Sequence, residues 1–229
     1  MATGNTKESF LFSMVDMIIS LLVIFILLLV VYLRSEISAS DVAKSKTGEI
    51  KDFLEKKITE LGLSGIHVEK LDAFNLAIIV PEEILQFETG KTELNQSAQA
   101  FLSQFVPLLL DLISIDAESI AQISVEGHTD HKLRTNVVNK FYNWDLSQAR
   151  ASAVMKYIFQ NFKDHPWLNY FQKISLFGGR GAIECQFPED ADEQLTKKCR
   201  TVKFKIRTKS KDEIEIMKAH IGPGTAHVQ

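Results

Sequence analysis

One stretch decides how this chain is organised: residues 10–33, with the sequence FLFSMVDMIISLLVIFILLLVVYL. It contains a single charged side chain, Asp16. A helix of about 24 residues rises about 36 Å, which is enough to cross a hydrocarbon core of about 30 Å with some tilt. The apolar core of a cleaved signal peptide is shorter, at roughly 7–15 residues. We therefore predict a retained transmembrane helix at residues 10–33.

Asp16 makes this helix unusual, because a carboxylate near the centre of a membrane costs about 2.5–3.5 kcal/mol on insertion scales. Ser13, Asp16 and Ser20 follow one another at helical spacing, so they share one face of the helix. One helix cannot bury this polar face, and we expect a membrane partner to cover it. Two interpretations of Asp16 stay open. It is either a carboxylate near the interface that water reaches, or a group that accepts and releases protons.

Composition excludes several function classes for the rest of the chain. The 229 residues carry a net charge of −3 and have a pI near 6.1, so there is room for one globular domain and no sign of nucleic-acid binding. No spacing resembles a metal site, a nucleophile–base pair or a phosphate loop, and we expect neither an enzyme nor a cofactor. A disulfide between Cys185 and Cys199 would be worth about 3 kcal/mol if the compartment allows it.

The region between span and domain, residues 34–64, contains a small polar linker at 35–46 and then an amphipathic helix. Apolar residues recur at helical spacing over 48–61, with Thr47 as a predicted N-cap and Gly62 as a predicted C-terminal stop. We predict that this helix packs on the domain, on a second copy of the chain or on the membrane surface.

Residues 65–208 alternate between strand and helix patterns in the order β-β-α-β-α-β-β. This order predicts an α+β fold, a mixed sheet with helices on one face. The short polar segment 1–9 precedes the span, and a tail at 209–229 follows the domain. The predicted elements are a hairpin at 66–80, a helix from Asn95 to Ile113 that Pro107 kinks or divides, a strand at 120–126, a helix at 145–162, and strands at 173–177 and 201–208.

Three pieces of the domain carry groups suited to a charged ligand. Asp130 closes a GHTD turn after a strand, Arg150 lies on the first turns of the next predicted helix, and Arg200 precedes the last strand. An acid, an arginine and the free amides of a helix start suit a ligand with both an ammonium and a carboxylate group. The alternative is a purely structural ion pair between Asp130 and Arg150, and spacing alone does not separate the two.

The strings VEGHTD (125–130) and NWDLSQARASAVMKYI (143–158), preceded by FETGKTELN (87–95), resemble the OmpA-like peptidoglycan-binding domain in the form found in MotB, the flagellar stator subunit. FSMVDMIISLL (12–22) also resembles the MotB span, whose aspartate carries protons. With its short N-terminal tail and linker, the chain is most similar to the MotB-like ZorB subunits of the Zorya anti-phage system.

This resemblance implies roles for individual residues. Asp16 becomes the ion-translocating group, and the helix at 48–61 takes the position of the MotB plug. In the periplasm that the resemblance implies for the domain, a Cys185–Cys199 disulfide is expected. The candidates for binding a diaminopimelate-type stem peptide of peptidoglycan are Thr129, Asp130, Asn143, Leu146, Arg150 and Arg200.

The resemblance also implies a place and a function. The chain would cross the bacterial inner membrane once, with its N-terminus in the cytoplasm and its domain in the periplasm. A homodimer would sit within MotA-like (ZorA-like) membrane subunits and act as a proton-driven stator that anchors to peptidoglycan, in anti-phage defence. A flagellar motor stator is the runner-up, and a static cell-wall tether without ion transport is a further alternative.

Overall fold

The computed structural model describes the backbone of residues 5–87, 92–130, 137–185, 187 and 192–220. The chain divides into two compact units, Met1–Val42 and Ala43–Gln229, and the boundary between them falls within the first helix, α1 (Asn5–Glu60). The predicted linker at 35–46 is therefore wrong, and Thr47 is not an N-cap. The reason is that this polar segment contains neither Gly nor Pro, so nothing in it interrupts a helix.

In the first unit, every side chain from Met14 to Leu33 is exposed. This segment is long and apolar enough to cross a membrane, and it is a candidate membrane span. Asp16 and Ser20 lie about one turn apart on it, whereas the side chain of Ser13 lies outside the described residues. An apolar surface on all sides of a helix requires lipid or other protein around it.

In the second unit, the last part of α1 packs on the domain, which is one of the three predicted alternatives. Ile50, Leu54 and Ile58 are buried in the hydrophobic core. The Thr47 hydroxyl is also buried and donates a hydrogen bond to the carbonyl of Ala73 at 2.6 Å.

Gly62 ends α1, as predicted. It adopts φ +66°, a left-handed conformation that a residue without Cβ takes at little cost. The Gly62 N–H donates to the Thr59 carbonyl at 3.1 Å, and the Leu63 N–H donates to the Ile58 carbonyl at 3.0 Å. These two bonds satisfy carbonyls that the helix end would otherwise leave unpaired.

A five-stranded mixed sheet forms the centre of the domain, in the spatial order β1-β2-β5-β3-β4. Only the β3–β4 pair is parallel, and the other three pairs are antiparallel. The predicted hairpin is the β1–β2 pair, and the last strand in sequence lies in the middle of the sheet. The strands are β1 (His67–Lys70), β2 (Asn75–Pro81), β3 (Ile120–Gly127), β4 (Ser175–Gly179) and β5 (Thr201–Thr208).

Helices α2 (Gln96–Asp116) and α3 (Val137–Asn161) contribute to one core with the sheet, which confirms the predicted α+β fold. The Phe105 and Phe204 rings lie 4.9 Å apart between α2 and β5. By length and composition α2 could also cross a membrane, but more than half of it is buried in the domain, so we treat it as a core helix.

The helices differ from prediction in four places. Pro107 does not divide α2, whose neighbouring residues Val106 and Leu108 are buried on either side of it. Helix α3 begins at Val137 instead of at residue 145. Leu168 and Phe171, one turn apart and both buried, belong to a helix that precedes β4 and was not predicted. The remaining helices are α4 (Leu168–Ile174), α5 (Glu193–Lys197), also not predicted, and α6 (Lys211–His220) in the tail.

Candidate functional site

Two glycines allow α3 to lie against the ends of β3 and β4. A Cβ on Gly127 would collide with the backbone carbonyl of Ser147, and a Cβ on Gly179 would collide with Ser147 Oγ and the Trp144 carbonyl. Any larger residue at either position would push the helix away from the sheet. The close approach brings the middle of α3 next to the GHTD turn that follows β3.

Hydrogen bonds fix that turn in place. The His128 N–H donates to the Thr201 carbonyl at 2.9 Å, and the Thr129 N–H donates to the Gly181 carbonyl at 2.8 Å. The buried Asn143 side chain on α3 donates to the Asp130 carbonyl at 3.2 Å. Thr129 and Asp130 are thereby held at the edge of the domain, at the carboxyl end of β3.

Four charged side chains meet at this edge, and we call Glu82, Asp130, Arg150 and Arg200 the edge cluster. Arg200 Nε donates to Asp130 Oδ2 at 2.7 Å, and Arg200 Nη1 donates to Glu82 Oε2 at 3.1 Å. Arg150 Nη2 lies 3.8 Å from Glu82 Oε1. The direct ion pair considered from the sequence, Asp130 with Arg150, is thus replaced by pairs of Asp130 with Arg200 and of Arg150 with Glu82.

Arg150 is the most enclosed member of the edge cluster, with a side chain only 6% exposed. Its guanidinium carbon lies 5.0 Å from the centre of the Phe87 ring, a cation–π distance. Burial lowers the pKa of Arg150, although the Glu82 carboxylate opposes this effect. For Arg200, burial also acts to lower the pKa, but the hydrogen bond to Asp130 and the charge of Glu82 outweigh it and raise the pKa.

Two buried polar atoms in this region have no hydrogen-bond partner among the described residues. They are Arg150 Nε and Thr129 Oγ1. Leaving a buried donor unpaired costs roughly 1–3 kcal/mol, so such atoms call for an explanation. Both atoms are enclosed by protein, so only a ligand that displaces neighbouring side chains could become their partner.

An open groove of about 480 Å³ adjoins the edge cluster. Its volume lies within the range of about 300–1,000 Å³ that is typical of small-ligand sites. The groove is lined by Glu82, Glu83, Gln86, Phe87, Asn95, Glu193, Lys197 and Arg200.

Most of the predicted binding residues come together, but one predicted contribution is wrong. Thr129, Asp130, Asn143, Arg150 and Arg200 are placed at this edge as described above, and Leu146 is half-buried one turn before Arg150. Because α3 begins well before residue 143, its amides near residue 146 belong to the helix interior, and a helix start cannot hold a ligand carboxylate there.

Glu82 and Phe87 are members of the site that the sequence reasoning missed. The register between β2 and β5 pairs Pro81 with Thr201, so Glu82 and Arg200 follow as neighbours, and the Glu82 N–H donates to the Arg200 carbonyl at 3.0 Å. The sequence feature that could have indicated Glu82 is its position directly after Pro81, which ends a predicted strand.

A second charged group, which we call the sheet-face cluster, contains Glu126, His128 and Glu184. Their ligand atoms lie within 4.8 Å of one another, a spacing compatible with a metal ion. However, Lys205 Nζ lies 2.7 Å from Glu126 and Lys203 Nζ lies 2.6 Å from Glu184. Although burial acts to raise the pKa of Glu126, His128 and Lys205 lower it to about 2. These ammonium groups balance the carboxylates, and the cluster has the features of a structural network.

Cys185 and Cys199 form a disulfide, with their Cα atoms 5.2 Å apart. The bridge joins the loop after β4 to the residue immediately before Arg200. It therefore limits the movement of the segment that carries Arg200 into the edge cluster.

Comparison with known proteins shows what the domain is similar to. Residues 86–194 match the OmpA family. The uncharacterized protein YtxE of Bacillus subtilis is 32% identical over 130 residues, which cover 54% of this chain and 48% of YtxE. The Zorya protein ZorB of Escherichia coli is 28% identical over 156 residues, which cover 65% of this chain and 63% of ZorB. The matches thus span about half of YtxE and just under two thirds of ZorB.

A solved structure agrees with this assignment at the level of fold. The crystal structure of a MotB-like protein from Desulfovibrio vulgaris superposes with a TM-score of 0.56 at 22% identity, covering 74% of this chain and 96% of that chain. Residues 86–194 thus match the OmpA family, the chain is similar to YtxE and to ZorB, and its domain shares the fold of a MotB-like protein.

Proposed function

We propose that this chain anchors to peptidoglycan as a subunit of an ion-driven stator in the bacterial inner membrane. The edge cluster carries the proposal, because it combines opposite charges, and two of its members, Glu82 and Arg200, line an open groove. Two buried donors without a partner, Arg150 Nε and Thr129 Oγ1, lie in the same region of the domain. Such a site suits a small zwitterionic ligand better than a neutral one.

The proposed ligand is the diaminopimelate-type stem peptide, which carries an ammonium and a carboxylate on one side chain. Asp130 would accept from the ammonium, while Arg150 and Arg200 would bind the carboxylate. Thr129 Oγ1 would hydrogen-bond to the peptide. Asn143 would hold the turn that carries Asp130, and Leu146 would contact the aliphatic part of the ligand.

The apolar segment Met14–Leu33 supports the membrane part of the proposal. All its side chains are exposed within the chain, so lipid and other subunits must cover them. We propose that a homodimer of this chain is surrounded by MotA-like (ZorA-like) subunits and that Asp16 carries protons between them. Binding to peptidoglycan requires the domain in the periplasm, which leaves the N-terminus in the cytoplasm.

We further propose that this stator acts in anti-phage defence. The support is the similarity to ZorB, which is a Zorya protein. Flagellar rotation remains the alternative for a MotB-like chain.

Sedimentation with purified sacculi tests the wall-binding part. Asp130→Asn in the full-length chain removes the charge that would face the ligand ammonium, and we expect binding to fall at least about tenfold, since a charge-assisted hydrogen bond contributes about 1.5–3 kcal/mol. Asp145→Asn is the matched control, because Asp145 is an exposed acid on α3, and its binding should equal wild type. Wild-type binding by Asp130→Asn, or no binding by the wild-type chain, would contradict the proposal.

A further inference from the structure

We infer that Glu82 is an internal competitor for the ligand: its carboxylate occupies the position between Arg150 and Arg200 that a ligand carboxylate has to take. This inference rests on the proposed function, and it names the residue that sets the selectivity of the same site. Glu82 would then decide between ligands with a free carboxylate and those in which that group is an amide.

The contacts of Glu82 are those expected of a bound ligand. One carboxylate oxygen accepts from Arg200 Nη1 at 3.1 Å, and the other lies 3.8 Å from Arg150 Nη2. A carboxylate that bridges two guanidinium groups is the arrangement in which arginines recognise an anion. While Glu82 stays there, a second carboxylate cannot make the same contacts.

The backbone around Glu82 is fixed, so displacement would require movement of the side chain alone. The Ile84 and Leu85 N–H groups both donate to the Pro81 carbonyl at 3.1 Å, and Leu85 is buried. The Glu82 side chain itself is 16% exposed and lines the 480 Å³ groove. It therefore has space to turn into the groove and solvent when a ligand arrives.

Formal charges explain why this competition matters. The edge cluster has two carboxylates and two guanidinium groups, so its formal charges cancel. A ligand carboxylate gains attraction from the arginines only as it replaces Glu82, and the released Glu82 returns to water. A ligand amidated at this carboxylate has no negative charge there with which to displace Glu82, so removing Glu82 should change its binding little.

Calorimetric titration of the full-length chain in detergent micelles tests this inference. The probes are the tripeptide L-Ala–γ-D-Glu–meso-diaminopimelate and the same tripeptide with the side-chain carboxylate of diaminopimelate amidated. We expect Glu82→Gln to bind the free-carboxylate tripeptide about tenfold more tightly than wild type, because one charged competitor is removed. The affinity of Glu82→Gln for the amidated tripeptide should stay within about twofold of the wild-type value.

Glu83→Gln is the matched control. Glu83 is the adjacent, exposed acid and lines the same groove, so the substitution changes the overall charge equally. Among the ion pairs of the described residues, Glu83 contacts neither arginine of the edge cluster. Equal gains in both variants would indicate a general charge effect and would overturn the role of Glu82.

The remaining outcomes separate this inference from the proposed function. If wild type binds the free-carboxylate tripeptide and Glu82→Gln binds it equally or more weakly with unchanged thermal unfolding, Glu82 is no competitor and the proposed function stands. If no variant binds either tripeptide, both fail. Should Glu82→Gln unfold, Glu82→Asp is the second variant: it is too short to bridge both arginines and should still bind more tightly than wild type, and no gain would overturn the inference.

Discussion

Helix α1 places one continuous backbone in two different surroundings. From Met14 to Leu33 every side chain is exposed, and nearly all are apolar. Over residues 46–60, by contrast, Ile50, Leu54 and Ile58 form a buried stripe, and charged residues occupy the exposed faces. A stripe on one side indicates a partner within the same chain, whereas an apolar surface on all sides indicates lipid or another subunit.

The acids of the two units differ in the same way. Asp130 lies inside the edge cluster, where Arg200 balances its charge. Asp16 is exposed among apolar neighbours. A carboxylate is costly in a membrane, so we infer that its balancing groups come from other subunits. The following substitutions test this contrast.

The largest expected effect is on activity. Asp16→Asn should abolish phage protection in cells that also express the MotA-like subunit, because the amide cannot carry a proton. Ser20→Ala, on the same helical face, should retain it. Sacculus binding should be normal in both variants. A static tether predicts the opposite result for activity, with Asp16→Asn fully functional.

The next effect is on stability. Leu54→Ala should lower the free energy of unfolding of the domain by about 2–5 kcal/mol, because it leaves a cavity in the core. Leu27→Ala, the same change in the apolar segment, should leave domain unfolding unaffected. Both tryptophans, Trp144 and Trp167, lie in the second unit, so their fluorescence during denaturation follows the domain. If Leu54→Ala and Leu27→Ala destabilised the domain equally, the two parts of α1 would not differ in their surroundings as described.

A smaller loss of stability is expected for Thr47→Val, which removes the hydrogen bond from the buried Thr47 hydroxyl to the Ala73 carbonyl. Leaving that acceptor without its donor should cost about 1–3 kcal/mol, measured by the same denaturation. Thr59→Val is the control, since Thr59 is exposed on the same helix and its hydroxyl bonds only to the preceding turn. Thr59→Val should change the free energy of unfolding by no more than about 0.5 kcal/mol. If Thr47→Val unfolds like wild type, this bond does not hold α1 to the domain.

The smallest effect concerns Lys46, whose Nζ lies 3.5 Å from Asp116 Oδ2 and is partly exposed. Asp116→Asn should cost less than about 1 kcal/mol, and high salt should remove the difference. The hydrogen bond to Glu49, and then the charge of Asp116, raise the pKa of Lys46 above 10.5 despite some burial. The stabilisation is therefore fully present below pH 10.5 and is lost as the pH rises above it. A salt-independent loss would indicate a packing effect instead.

The strands of the sheet could be predicted from the sequence because the patterns that indicate a strand are local. The run Leu76 to Val80 and the alternation in Thr201–Thr208 predict strands wherever the rest of the chain lies. The prediction of a linker at 35–46 was wrong because a polar segment without Gly or Pro is compatible with both helix and coil. Thr129, Asp130, Asn143 and Arg150 lie near one another in the sequence, and Arg200 joins them because β5, which it precedes, pairs with β3.

Glu82 was missed for a different reason. Its partner Arg200 follows 118 residues later, and the two meet only through the pairing of β2 with β5. No local pattern encodes that contact. The pairing of Arg150 with Glu82 was missed for the same reason, so the sequence identified the charged residues but not their partners.

Flotation of proteoliposomes tests most directly whether this one chain joins a membrane to the cell wall. Liposomes carrying the full-length chain, with the domain facing outward, are mixed with purified sacculi and centrifuged. We predict that wild-type liposomes sediment with the sacculi, while liposomes carrying Asp130→Asn float. Wild-type liposomes that float with their domains accessible to protease would contradict the account.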